Sequence, residues 1–264
     1  MSPAAPARML VMGIVNVTPD SFSDGGRFID PQAAIEHARQ LVADGADMLD
    51  VGAESTRPGF EAVPADEQLR RLRDVLPGLK DIGVPFSIDT RVAAVASTAV
   101  AAGASMVNDV SGGTHDPGML ALVADLGVDF VCQLWGRDPH IPMRDQLAAR
   151  LDACLGAGID RSRIVLDPGL GFGADPGDDW PALARIDDAT ALGQRVLVGA
   201  SRKRFLATPG DDAAMRDDAG IAVTAWCAQH GVWAVRTHTV APHKRAIEVI
   251  SRLMETRTQR DSDK

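Results

Sequence analysis

Short apolar runs alternate with longer stretches in which apolar positions recur every three or four residues, and the alternation repeats eight times along the chain. The short runs predict strands over 9–15, 47–51, 84–88, 105–107, 128–132, 163–166, 195–198 and 232–235. The longer stretches predict helices starting near Pro31, Pro64, Arg91, Asp116, Met143, Asp179, Asp217 and Ala241, several with the first-turn Pro or Asp that helix starts favour. In the first helix Ala33, Ile35, Ala38 and Leu41, with Ala34 and Val42, form one apolar stripe. Gly45, Gly83, Gly103, Gly127, Gly158, Gly193 and Gly231 each fall just before a strand, where a helix C-cap needs positive φ. Eight βα units in sequence predict an α/β fold, a single (β/α)8 TIM barrel over residues 1–264, with 1–8 and 256–264 frayed. An open doubly wound sheet is the alternative, since periodicity alone does not require closure.

Composition narrows the function. At 264 residues and 45% hydrophobic content the chain can fill a barrel core, and its net charge of −9 argues against nucleic acid or an anionic membrane as partner. An anionic ligand must therefore meet a local basic cluster. Three scattered cysteines without a CxxC suggest neither a disulfide framework nor a zinc site, which fits a cytoplasmic protein. The Ala- and Pro-rich start resembles no signal peptide, and no apolar run reaches the length of a membrane span.

The polar residues that follow the apolar runs carry the chemistry. Asn16, Asp50 with Glu54, Asp89, Asn108 with Asp109, Asp167, Ser201 with Lys203, and Arg236 with His238 each stand at or just beyond a predicted strand end. Parallel strands would bring them to one rim. A helix cap is the plainer reading of Asp89. Asp167 is stronger, because Pro168 removes a backbone donor and Gly169 to Gly173 make an open turn. Two carboxylates and Asn108 suit a heterocycle with ring N–H donors and an amino group. Hydroxyls and cations in Gly52 to Gly59, Gly199 to Arg204 and Arg236 to His238 suit phosphate, although Arg202 to Arg204 also reads as a solvated basic patch. His115, His140 and His243 read as surface or loop residues. Phe22, amid polar neighbours and close to Gly25-Gly26, points to a lid over the site.

Seven ordered segments carry a resemblance: Met12 to Gly26 (with Asn16-Val17-Thr18-Pro19-Asp20-Ser21-Phe22-Ser23-Asp24), Asp50 to Gly59, Ser87 to Thr90, Asn108-Asp109, Asp167 to Gly173, Ser201-Arg202-Lys203 and Arg236-Thr237-His238. Over nearly its whole length the chain resembles the dihydropteroate synthases of the folate pathway. The resemblance implies a usually dimeric (β/α)8 barrel that joins 4-aminobenzoate to a dihydropterin methyl diphosphate with Mg²⁺. It implies that Asp89, Asn108, Asp167 and Lys203 hold the pterin, and that Asn16, Thr56, Arg57, Arg236 and His238 hold the diphosphate, with Asn16 beside Mg²⁺. Phe22, Thr56, Pro58, Ser201 and Lys203 would frame the aminobenzoate, and Asp24 would favour a cationic pterin. The implied catalytic residues are Asp24, Asp89, Asp167 and Lys203. The chain departs from the family after the fifth strand, where Gln133-Leu134 stands near the usual Met-His. Two rival readings are a pterin-binding paralogue without synthase activity and a pterin-dependent methyltransferase, the latter having no need of the anion-binding set.

Overall fold

The computed structural model describes residues 8–18, 30–54, 62–173, 176–208 and 210–262. Eight parallel strands, β1 (Leu10–Asn16), β2 (Met48–Gly52), β3 (Phe86–Asp89), β4 (Met106–Asp109), β5 (Asp129–Gln133), β6 (Ile164–Asp167), β7 (Arg195–Val198) and β8 (Ala234–Thr237), close into a barrel. Closure is by β1 against β8, with Leu10 opposite Ala234, so the open-sheet alternative falls. The helices are α1 (Pro31–Ala43), α2 (Ala65–Leu72), α3 (Leu76–Lys80), α4 (Ala93–Ala101), α5 (Met119–Leu126), α6 (Met143–Gly156), α7 (Asp179–Ala184), α8 (Asp187–Thr190), α9 (Ala213–Gln229) and α10 (Val240–Ser262).

All but one of the strands end later than hydrophobicity predicts. Asn16, Asp89, Asp109, Gln133, Asp167 and Thr237 are the last residues of their strands rather than the first of the loops. The backbone ladder does not depend on side-chain polarity: it runs through Asn16 opposite Gly52, Gly52 opposite Asp89 and Asp89 opposite Asn108, and again through Gln133 opposite Asp167. Backbone pairing thus carries the polar side chains on the rigid barrel wall.

Two apolar layers support that rim. Inside the barrel Met12, Met48, Met106, Val131, Val165, Leu197 and Ala234 pack together as a floor. Outside, the alternate strand residues meet the helices, as Val11, Val51, Ile88, Phe130 and Leu166 do. Full burial of each large side chain contributes roughly 1.5–3 kcal/mol. The α1 stripe is borne out at Ala34, Ile35, Ala38 and Leu41, which are buried, while Ala33 and Val42 are half-buried, and Asp30 caps the helix by accepting from Gln32 N at 2.9 Å. The seven glycines picked out as caps all take positive φ.

Three expectations change. Helix α9 begins at Ala213, capped by Asp212 accepting from Met215 N at 2.9 Å, so Asp217 lies inside the helix instead of starting it. Helix α10 continues to Ser262, past Thr256, where composition predicts fraying; Thr256 and Thr258 donate back to Arg252 O and Met254 O. His243 is buried, not superficial: Thr224 and Thr237 meet its two ring nitrogens at 2.6 and 2.9 Å, and burial lowers its pKa to about 4. Among the described residues no helix is long and apolar enough to cross a membrane.

Candidate active site

The C-terminal rim of the barrel gathers polar side chains from every strand or the turn after it. Its centre is Asp50, fully buried on β2. It accepts from Ser87 Oγ, from Asn108 Nδ2 at 3.0 Å and from Arg236 Nε at 2.5 Å, while Arg236 Nη2 donates to Asp89 at 2.7 Å. Strands β2, β3, β4 and β8 are thereby joined by one charged network, which holds Arg236 and Asn108 without freedom to swing. Burial pushes Asp89 up to about 7; Arg236 opposes the rise and Asp50 adds to it.

Across the rim Asp167 ends β6 with its Oδ1 accepting from Gly169 N at 2.7 Å. Gly169 takes φ +67, and a Cβ there would lie 1.9 Å from Leu134 O, so only glycine lets this turn pass beneath β5. Burial raises Asp167 to about 6 against the pull of that N–H and of Lys203. Burial and Arg236 lower Lys203 to about 7. The ammonium sits 3.6 Å from the Phe172 ring centroid, and Phe172 packs on exposed Trp135 at 5.2 Å. Gly199, after β7, leaves the space between: a Cβ there would stand 3.9 Å from Arg236 Cβ and 4.0 Å from Asp167 Oδ2.

The turn after β7 separates three neighbouring cationic residues. Arg202, with φ +60, is the one non-glycine at positive φ among the described residues. It points to α9, where Asp217 binds it at 2.9–3.1 Å, and Arg204 is exposed. Only Lys203 faces the site, so the solvated reading holds for Arg204 alone, and Arg202 is instead a half-buried ion-pair partner of Asp217. Ser201 Oγ lies 2.9 Å from His238 Nδ1 and accepts from His238 N at 3.2 Å, joining the β7 and β8 turns.

The structure thus brings together Asp89, Asn108, Asp167, Lys203 and Arg236, with the Ser201–His238 pair beside them, and places Asn16 half-buried at the end of β1. Phe22, Asp24, Thr56, Arg57 and Pro58 lie outside the described residues. Among the described residues before and after those three, Glu54 accepts from Val63 N at 3.1 Å and pairs with Arg91 at 2.8 Å. Sequence reasoning missed Arg137, whose guanidinium bonds Pro168 O at 2.9 Å and forms a buried pair with Asp179; it fixes the turn that presents Asp167. No local pattern announces it, because its partners lie 31 and 42 residues away. Asp50 did carry a signal, an acid inside an otherwise apolar strand.

Chemically, the rim offers two buried carboxylates and an amide to N–H donors on one side, and Lys203, Arg236 and His238 to negative charge on the other. A planar heterocycle bearing an anionic group fits that division.

The chain is similar to known proteins over most of its length. The pterin binding enzyme model matches residues 12–238. The dihydropteroate synthase of Mycobacterium leprae is 40% identical, over 92% of this chain and 93% of its own length. A solved Xanthomonas albilineans dihydropteroate synthase with 4-aminobenzoic acid is 42% identical, covers 94% of this chain and 93% of its own, and superposes with a TM-score of 0.88. The Xanthomonas albilineans enzyme in complex with 7,8-dihydropteroate gives 40% identity, 94% coverage of both chains and a TM-score of 0.85.

Proposed function

The chain belongs to the pterin binding enzyme family, and from that premise we propose that it is a transferase catalysing the dihydropteroate synthase reaction. It joins 4-aminobenzoate to (7,8-dihydropterin-6-yl)methyl diphosphate, giving 7,8-dihydropteroate and pyrophosphate. The observation that carries the reading is the rim itself, where acceptors for a pterin and cations for a diphosphate stand side by side within a chain about 40% identical to synthases over most of its length. A pterin-dependent methyltransferase would have no use for the second half of the site.

In this reading Asp167 accepts from the 2-amino group and N3–H of the pterin, with Asn108 and Asp89 further along the ring and Lys203 at its carbonyl. Arg236 has Nε and Nη2 engaged by Asp50 and Asp89, and its remaining nitrogen is assigned to the diphosphate, with His238 alongside. The methyl carbon–oxygen bond breaks and pyrophosphate leaves with the electron pair. The arylamine nitrogen then attacks the pterin-methyl cation and loses its proton. The buried carboxylates stabilise the cation, and the cationic groups stabilise the departing charge.

Asn16 fits Mg²⁺ by donor chemistry: it offers a hard amide oxygen, and this ion takes few protein ligands beside substrate phosphate and water. Among the described residues no group of three His, Cys, Asp or Glu would cage an ion alone. When bound, Mg²⁺ would neutralise charge on the leaving diphosphate. A homodimer follows from the family resemblance, to be checked by sedimentation. A reducing cytoplasm accords with the three free, buried cysteines.

Purified protein supplied with the pterin diphosphate, 4-aminobenzoate and Mg²⁺ is expected to release pyrophosphate and dihydropteroate in equal amounts; binding of the pterin without product would leave a binding-only paralogue. Phe22 and Asp24, assigned to a lid, make a separate expectation. 4-Aminobenzoate should bind weakly to the free protein and tightly once pyrophosphate and Mg²⁺ are present, and equal affinity in both states would sink the lid. The acid side of the pH profile follows Asp167. Only its ionised form accepts two N–H donors, so pterin affinity should fall as pH drops through about 6, up to tenfold per unit. Calorimetry from pH 5 to 8 reads this directly, and a flat profile would remove Asp167 from the contact.

A further inference from the structure

Among the described residues, three of the buried side-chain atoms without a hydrogen-bond partner stand at or next to the ends of consecutive strands: Asp89 Oδ1 on β3, Asn108 Oδ1 on β4 and Gln133 Nε2 on β5. Buried polar groups are nearly always satisfied, so three orphans at one rim mark the surface that a ligand completes. The first two belong to residues already given to the pterin. Gln133 has no assigned role and stands near the point where the chain departs from its family.

Its direction follows from the strand. Val131 packs in the barrel floor and Cys132 in the outer layer, so alternation turns Gln133 inward. The residue is 5% exposed and lies opposite Asp167 in register. Strand order places it between Asn108 and Asp167, on the side of Asp167 away from Lys203.

We infer that Gln133 is a specificity-determining residue that donates its amide N–H to the pterin ring nitrogen N1. Asp167 takes the 2-amino group and N3–H. The ring then presents one acceptor on either side of that pair, the carbonyl oxygen next to N3 and N1 next to the amino-bearing carbon. Lys203, which can donate an N–H whether protonated or neutral, meets the carbonyl, and Gln133 is left facing N1. A neutral amide suits a neutral ring nitrogen, whereas a carboxylate there would repel its lone pair. The contact would select a ring with an acceptor at this position over an isostere carrying C–H.

The inference rests on the pterin reading, and its test separates the two. Full-length wild type, Gln133→Leu and Gln133→Glu are titrated calorimetrically with unphosphorylated 7,8-dihydropterin and with the analogue that has CH in place of N1, thermal melting serving to confirm the fold. Gln133→Leu is expected to weaken dihydropterin binding by roughly 2- to 13-fold, the range for a neutral hydrogen bond. It should no longer distinguish the two compounds, while wild type does so by a similar factor. Gln133→Glu, nearly isosteric, should bind dihydropterin more weakly than Gln133→Leu at pH 8. Wild-type affinity in Gln133→Leu, or undiminished discrimination against the analogue, overturns the assignment while leaving the pterin site in place. Failure of wild type to bind dihydropterin at all overturns the pterin reading, and this inference with it.

Discussion

Arg236→Ala is expected to lower the free energy of unfolding by about 3–5 kcal/mol at pH 8, the usual cost of removing one partner from a buried ion pair. Asp50 is fully buried and Asp89 only 4% exposed, and both would lose the guanidinium that now bridges them. The loss should shrink as pH falls. Burial already holds Asp89 at about 7 with the cation present, and without it the carboxyl rises further. A folded-state pKa above the unfolded value means that the folded protein takes up the proton, so stability recovers toward lower pH. Urea denaturation at pH 8 and pH 6 should show the smaller deficit at pH 6, and adding Asp50→Asn should restore part of it. Equal deficits at both pH values would show that the two acids are not what Arg236 offsets. In the fraction that folds, kcat/KM for the pterin diphosphate should fall ten- to a thousandfold, roughly 1.4–4 kcal/mol of transition-state stabilisation. The affinity of a pterin without phosphates should change far less. The reverse pattern would move Arg236 from the diphosphate to the ring.

Asp167→Asn should weaken pterin binding about ten- to more than a hundredfold, the value of a charge-assisted hydrogen bond at roughly 1.5–3 kcal/mol. The substitution keeps Oδ1 for Gly169 N and turns the second acceptor into a donor that opposes the ring N–H groups. Its effect on stability should have the opposite sign. Burial holds the folded carboxyl at about 6, above the ordinary value near 3.9, so the ionised acid costs stability at pH values above that. The neutral amide escapes the cost, and the variant should melt no lower than wild type at pH 8. Loss of binding without loss of melting temperature is the signature of a residue kept for its ligand. A variant that melts lower and binds normally would make Asp167 a scaffold residue.

The sequence by itself determined the eight βα units and the rim, while closure into a barrel rather than an open sheet was decided by the pairing of β1 with β8. Eight repeats of a short apolar run and an amphipathic stretch are local signals, as are the glycines at Gly45, Gly127 and Gly231, whose positive φ is a property of the helix end. Once the strands are parallel, residues at their C-terminal ends must meet, so Asp89, Asn108, Asp167 and Arg236 could be placed in one site before any coordinates. The tertiary structure decided what each of them touches. Arg236 is bound to acids 186 and 147 positions away, a pairing set by barrel closure and invisible in either segment. Lys203 enters the site while Arg202 leaves it, because the backbone at Arg202 turns to φ +60 and Asp217 of α9 holds it there. His243, with nothing in its sequence neighbours to bury it, is enclosed by Thr224 and Thr237 from two other elements. Gln133 is the clearest case: the chain shows a departure from a family pattern, but only the register with Asp167 and its own unpaired amide show which way it faces. Periodicity and chain direction are carried by neighbours along the sequence; partners, burial and charge balance depend on contacts that exist only after closure.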